Sequence, residues 1–199
     1  MSPDEAETLL APYYEHFVMA VDEGFGVWNT FAARMPDARK PLSGRARATF
    51  INDQIVCRAR DLFGEEKGVK MHEAYGFLCL NVADRAIIHF KKLDEEGRPR
   101  SYPTEQQKRL IMQELPMPGC LEPTWLSVGY QLKFPASGDQ IEQILVSCCL
   151  ADKVKWTIPL YNAADESGNA ARLPFPPQPS EQPRTRRVRP KNNKDVEGL

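Results

Sequence analysis

Asp84, His89, Lys91 and Lys92 fall on or beside one apolar hairpin-like stretch, with Glu73 just ahead of it. Their types would suit metal-assisted hydrolysis. Metal-dependent nucleases of the restriction kind place a carboxylate on one strand and a carboxylate-x-lysine on the next. Two acids then hold a divalent cation while the lysine stabilises developing charge. In this chain Glu73, Asp84 and Lys91 or Lys92 would take those parts. The acid-x-lysine spacing is missing inside a strand, because Glu65-Glu66-Lys67 belongs to a turn that runs on to Gly68. Solvated charges at strand ends account for the same residues. Hydrolysis therefore stands as the alternative reading.

Other chemistries leave less trace. There is no phosphate loop of the Gly-x4-Gly-Lys type, no dinucleotide glycine fingerprint, no nucleophile elbow, no Cys-x2-Cys pair and no His-Glu-x2-His helix. His16, His72 and His89 are far apart in sequence. His89 sits between Ile88 and Phe90, on the opposite face from both, and is expected on a solvated sheet face. Cys57, Cys79, Cys148 and Cys149 lie in apolar runs and Cys120 in a loop, which reads as small packed thiols of a reducing compartment. Adjacent Cys148 and Cys149 point to opposite faces of a strand. No metal site, cofactor or catalytic residue is expected on the preferred reading.

One more constellation lies near the end of the chain. Arg184, Arg186, Arg187, Arg189, Lys191 and Lys194 form a run of cations without an acid. They would neutralise nucleic-acid phosphates with salt-sensitive affinity, bind an acidic partner, or act only to keep a terminus solvated. The whole chain has a formal net charge of −1, so no global field steers it toward nucleic acid or an anionic membrane. No stretch approaches the roughly 20 apolar residues of a membrane span. The opening Met-Ser-Pro-Asp-Glu-Ala-Glu is acidic where a secretory signal is basic, and the expected location is cytoplasmic.

The elements that must position these residues are legible in the hydrophobic spacing. Ser2, Pro3 and Glu5 make an N-cap, a first helical residue and a capping-box partner. Leu9, Leu10, Tyr13, Tyr14, Phe17, Val18 and Val21 follow at helical spacing. Gly24 and Gly26 predict either a bend in one helix to about Ala33 or a junction of two. Ser43 caps a second helix carrying Phe50, Ile51, Ile55, Val56, Leu62 and Phe63, with Gly64 at the left-handed C-cap position. Arg45, Arg47 and Arg58 lie on that helix as a second candidate basic face.

Near residue 70 the period changes. Tyr75 to Val82 and Arg85 to Leu93 are apolar runs joined by Ala83-Asp84, a tight-turn length without the usual glycine. Thr104 with Gln107 opens a short helix through Leu110, Ile111 and Leu115. Leu126, Val128, Tyr130, Leu132 and Phe134 alternate with polar or small residues, as do Val154, Trp156, Ile158 and Leu160. A third run spans 140–150 between them. The expectation is an α+β domain over residues 3–161, with N-terminal helices on one face of a mainly antiparallel sheet of about five strands and the other face solvated. From 162 to 199 the chain is Pro-rich, locally basic and without period, and is expected to be a disordered tail. The tryptophans Trp28, Trp125 and Trp156 are expected to pack; an exposed Trp125 would mark an interface anchor.

The run Leu126-Ser-Val-Gly-Tyr-Gln-Leu132, the strand Ile141 to Leu150, the closing Val154-Lys-Trp-Thr-Ile-Pro-Leu160, and Phe90-Lys-Lys-Leu-Asp94 with Ser101-Tyr-Pro-Thr104 together resemble a group of uncharacterised bacterial proteins. That group is often encoded beside helix-turn-helix regulators and IrrE-like metallopeptidases, frequently on mobile elements. The resemblance covers about residues 45 to 160 and carries no activity or site residue. It implies an accessory component of a regulatory, toxin–antitoxin or phage-defence locus. With no catalytic signature in the chain, the expected function is non-enzymatic binding of a protein partner.

Overall fold

The computed structural model describes residues 1–101, 104–117, 119–120, 122–133, 140–151 and 153–163. The six cations between Arg184 and Lys194, and the segment expected to be disordered, lie outside these apart from its first two residues. The chain is α+β. Helices α1 (Pro3–Leu10), α2 (Tyr14–Arg34), α3 (Pro36–Arg39) and α4 (Gly44–Phe63) precede strands β1 (Val69–Ala74), β2 (Phe77–Val82) and β3 (Ala86–Lys92). Helix α5 (Glu105–Ile111) lies in the connection to β4 (Thr124–Leu132), and β5 (Ile141–Leu150) and β6 (Lys153–Asn162) close the sheet.

The helix starts follow their sequence signals. Ser2 and Glu5 exchange both bonds of a capping box, with Ser2 N donating to Glu5 Oε2 at 2.8 Å and Glu5 N to Ser2 Oγ at 3.2 Å. Ser43 Oγ accepts from Ala46 N at 3.1 Å and Thr104 Oγ1 from Gln107 N at 3.2 Å. The interruption of the first helical stretch falls at a 3-10 turn over Ala11–Tyr13, not at the glycines. Pro12 lacks the N–H that an uninterrupted helix would use there. Gly64 is right-handed (φ −58), so α4 does not end on a left-handed glycine.

Gly24 instead serves packing. A Cβ at that position would meet Ile55 N at 2.6 Å and Ile55 Cα at 2.8 Å, so α2 and α4 approach backbone to side-chain-free backbone. Gly24→Ala is expected to lower unfolding stability by about 2 kcal/mol, the overpacking cost less the gain of about 1 kcal/mol in helix propensity. Urea denaturation reads it directly, and a stabilised variant would show that the helices part without cost.

The six strands are ordered β1-β2-β3-β4-β5-β6. All neighbours are antiparallel except β3 and β4, which run parallel through the crossover containing α5. Strand β1 was not expected. Its residues Val-Lys-Met-His-Glu-Ala carry little apolar signal because an edge strand is only half covered. Tyr75-Gly76 turns it into β2 with φ of 60 and 79, the two left-handed residues a tight hairpin needs. Ala83 and Asp84 also turn with positive φ, 51 and 55, without a glycine.

One sheet face packs against α2 and α4. Phe17, Val21, Phe25, Trp28, Ile51 and Ile55 meet the even-numbered side chains of β2, β3 and β4 there. The opposite face, expected in water, is exposed at Lys153, Lys155, Thr157 and Pro159 of β6 but covered over β2 to β5. Leu110, Leu115 and Met117 from the crossover close over Cys79, Ile87 and Trp125 as a second core. The turn at Asp94–Arg98 also leans on this face, where Gly97 packs near Thr157 and Leu145. No helix of the described residues is long and apolar enough to cross a membrane.

Candidate functional site

The carboxylates and lysines singled out above are kept apart. Glu73 pairs with Arg60 of α4 at 2.5 Å, on the helix side of the sheet. Asp84, in the β2–β3 turn, accepts from Lys70 Nζ at 2.8 and 3.0 Å and from Asn81 Nδ2 at 2.8 Å. These donors hold its carboxyl below the usual range, Lys70 first. Glu73 is opposite Leu78, four residues along β2 from Val82, which is about 13 Å at the rise of a strand. Lys91 and Lys92 are adjacent and so face opposite sides, five and six residues from Ala86 and about 17 Å or more from the turn. That span is too long for a shared metal whose ligands sit near 2 Å. Among the described residues no three His, Cys, Asp or Glu side chains gather as a metal site.

The same-face pair that β3 does offer is His89-Phe90-Lys91, with histidine where the nuclease pattern has an acid. Facing it from β2 are Phe77 and Cys79. Lys91 Nζ lies over the Phe77 ring, 5.6 Å from its centroid, and burial pulls its pKa down.

His89 is the chemically unusual residue, and its setting was not foreseen. Register places His89 beside Ser127, Ser127 beside Ser147 and Ser147 beside Thr157, one polar line across β3 to β6. Ser127 Oγ is 2.7 Å from His89 Nε2. The imidazole is 1% exposed and the serine 4%, roofed by Trp125 and Phe77 at ring separations of 6.3 and 5.6 Å. Burial, with the nearby Lys91 charge, pushes the His89 pKa down to about 3. His89 Nδ1 has no hydrogen-bond partner among the described residues. A base this weak draws a serine proton poorly at neutral pH, and the closed roof keeps substrate away. The pair is thus a polar joint of the second core.

The cysteines are thiols, all five unpaired. Burial pushes Cys79 up to about 12 and Cys148 up to about 11, away from the thiolate form. Cys57, expected to be packed, is exposed on α4. Trp125 is buried and donates from Nε1 to Leu115 O at 2.8 Å, so it is no surface anchor.

Among the described residues, what remains open is the edge of the sheet. At β6 the edge is guarded. Lys153, Lys155 and Pro159 lie in that strand, its ladder shifts register twice, and Trp156 Nε1 donates to Met1 O at 3.3 Å. These are recognised defences against strand addition. At β1 the guard is thinner. Lys70 is drawn onto Asp84, Met71 is 36% exposed, and Tyr75 at the adjoining turn is 38% exposed.

The fold and these surfaces define the chain as an α+β protein with a six-stranded mixed sheet and one weakly guarded edge. Comparison with protein-family models, curated proteins and solved structures found no match to it.

Proposed function

We propose that this chain is a non-enzymatic protein-binding component that takes an extended segment of its partner onto the free edge of β1. The observation that carries the reading is the asymmetry between the two sheet edges, β6 well guarded and β1 less so. Strand addition draws its affinity from main-chain hydrogen bonds and its selectivity from alternate side chains. The two-residue turn makes Ala74 and Phe77 a bonded pair, so Ala74, His72 and Lys70 bond to β2. Met71 and Glu73 then turn their backbone groups outward, while the outward N–H of Val69 is taken by Glu66 O at 3.4 Å. The cationic tail adds a second, electrostatic contact. Five free thiols fit a cytoplasmic setting. The resemblance to proteins encoded beside helix-turn-helix regulators and IrrE-like metallopeptidases supports an accessory role in a bacterial regulatory, toxin–antitoxin or phage-defence locus.

The test replaces one outward N–H. Met71→Pro leaves the β1–β2 ladder intact, since proline is tolerated on an edge, while Met71→Ala keeps the N–H and removes the side chain. A partner captured from the native host is identified by mass spectrometry and re-tested as purified protein. Met71→Pro is expected to weaken its binding at least about tenfold, more than 1.4 kcal/mol, with Met71→Ala closer to wild type. Undiminished binding by a folded Met71→Pro variant would remove the edge from the interface.

A further inference from the structure

The outer side of β1 presents a short set of backbone groups, and among the described residues no strand lies beyond it. Lys70, His72 and Ala74 bond toward β2, and Glu66 O takes the N–H of Val69 at 3.4 Å. What faces outward is the N–H and C=O of Met71 and of Glu73, one residue on either side of His72. In an antiparallel pairing, two directly opposite residues of a bonded pair exchange both N–H···O bonds. A second copy of this strand, turned about a two-fold axis through His72, sets Met71 against Glu73 and Glu73 against Met71. Every outward group of those two residues then has a partner. An axis through Met71 does less well. It sets Glu73 against Val69, whose N–H is already taken, and leaves the Glu73 carbonyl of each copy without a donor. The axis through His72 stands perpendicular to the sheet, so both copies keep their helices on one side and the contact is isologous.

The side chains around that axis also suit a second copy. Lys70 is drawn to Asp84 at 2.8 Å, so it does not bar the edge as an unpaired lysine would. Glu73 is held by Arg60 at 2.5 Å on the helix side. In this register the two Glu73 residues are diagonal neighbours, about 7–8 Å apart. Each brings its own Arg60, so two carboxylates and two guanidiniums gather about the axis with no net charge. Met71, 36% exposed in the single chain, is flanked by this quartet.

We propose that the β1 edge, when no partner segment occupies it, is closed by the β1 edge of a second copy of this chain, giving a two-fold dimer with one continuous sheet. The inference rests on the reading of β1 as the open edge and adds a regulation to it, since dimer and partner compete for the same backbone groups. Self-pairing also hides an edge that would otherwise template aggregation.

Sedimentation of the purified full chain tests this without any partner. A reversible monomer–dimer equilibrium is expected, with the Met71 and Glu73 amides exchanging hydrogen more slowly in concentrated than in dilute protein. Met71→Pro should weaken the dimer at least about tenfold. Charge exchange supplies a second arm. Arg60→Glu and Glu73→Arg each surround the axis with like charges, and each alone should weaken the dimer at least about tenfold. Mixed in equal amounts, these two variants should pair with one another and recover it. A chain that stays monomeric up to about 1 mM overturns the proposal and leaves the partner reading to its own test. A dimer left unchanged by a folded Met71→Pro variant, or charge variants that fail to pair on mixing, overturns it as well.

Discussion

Gly129→Ala is expected to cost at least about 3 kcal/mol of unfolding stability, at the upper end for overpacking. A Cβ at residue 129 would come 2.0 Å from Lys91 O, 2.8 Å from Leu93 Cγ and 3.1 Å from Lys91 C. The first of these is backbone, which no rotamer change can move. Gly129 is paired with Lys91 across the parallel β3–β4 ladder, so the methyl group is relieved only by prying the two strands apart. That differs from Gly24, where the added methyl also gains helix propensity. With total stabilities of about 5–15 kcal/mol for a domain, the loss is a large fraction. Urea unfolding of Gly129→Ala, followed by far-UV circular dichroism, is the measurement. A variant within about 1 kcal/mol of wild type would mean the sheet yields here.

The capping residues, the alternating strands β4 and β6, and the switch from helical to extended spacing near residue 70 were legible because each is a local signal. Ser2 with Glu5 bonds its own turn, and Tyr130 and Trp156 alternate whatever their neighbours do. Three features were not legible, each for a non-local reason. Strand β1 is polar because one flank meets no partner. The cover on the second face comes from Leu110, Leu115 and Met117, which follow no period because a seven-residue helix and its exit supply them. His89 was placed on the correct face, but whether that face is wet depended on a crossover more than twenty residues away in sequence. Functional sites suffered most. The Ser127 partner of His89 follows from register across a parallel pair. The Glu73, Asp84 and lysine set looked compact in sequence, yet the strand rise alone spreads it along the sheet.

Stability should fall on mild acidification, with His89 as a main cause. In the folded protein its pKa is about 3, against 6.5 for the free imidazole. The unfolded chain therefore holds the extra proton throughout that window, and ∂ΔG/∂pH is positive there. The contribution is complete above pH 6.5 and drains away as pH drops toward 3. Between pH 6.5 and pH 5 the expected loss is about 2 kcal/mol, at roughly 1.4 kcal/mol per pH unit. This upper part of the window is the informative one. Below it Asp84 and Asp94, whose carboxyls are held low, release their own stabilisation, while Asp22, raised by burial, works in the opposite sense. Denaturation curves at pH 7.5, 6.5 and 5 for wild type and His89→Gln separate the histidine from the rest. Glutamine keeps a group able to bond Ser127 but binds no proton, so its stability should be nearly flat between pH 6.5 and 5. A variant as acid-sensitive as wild type would place the titrating group elsewhere. A flat variant would show that the polar line across β3 to β6 is held closed by a neutral imidazole, and that protonating this one ring sets its second core against its own hydrogen bond to Ser127.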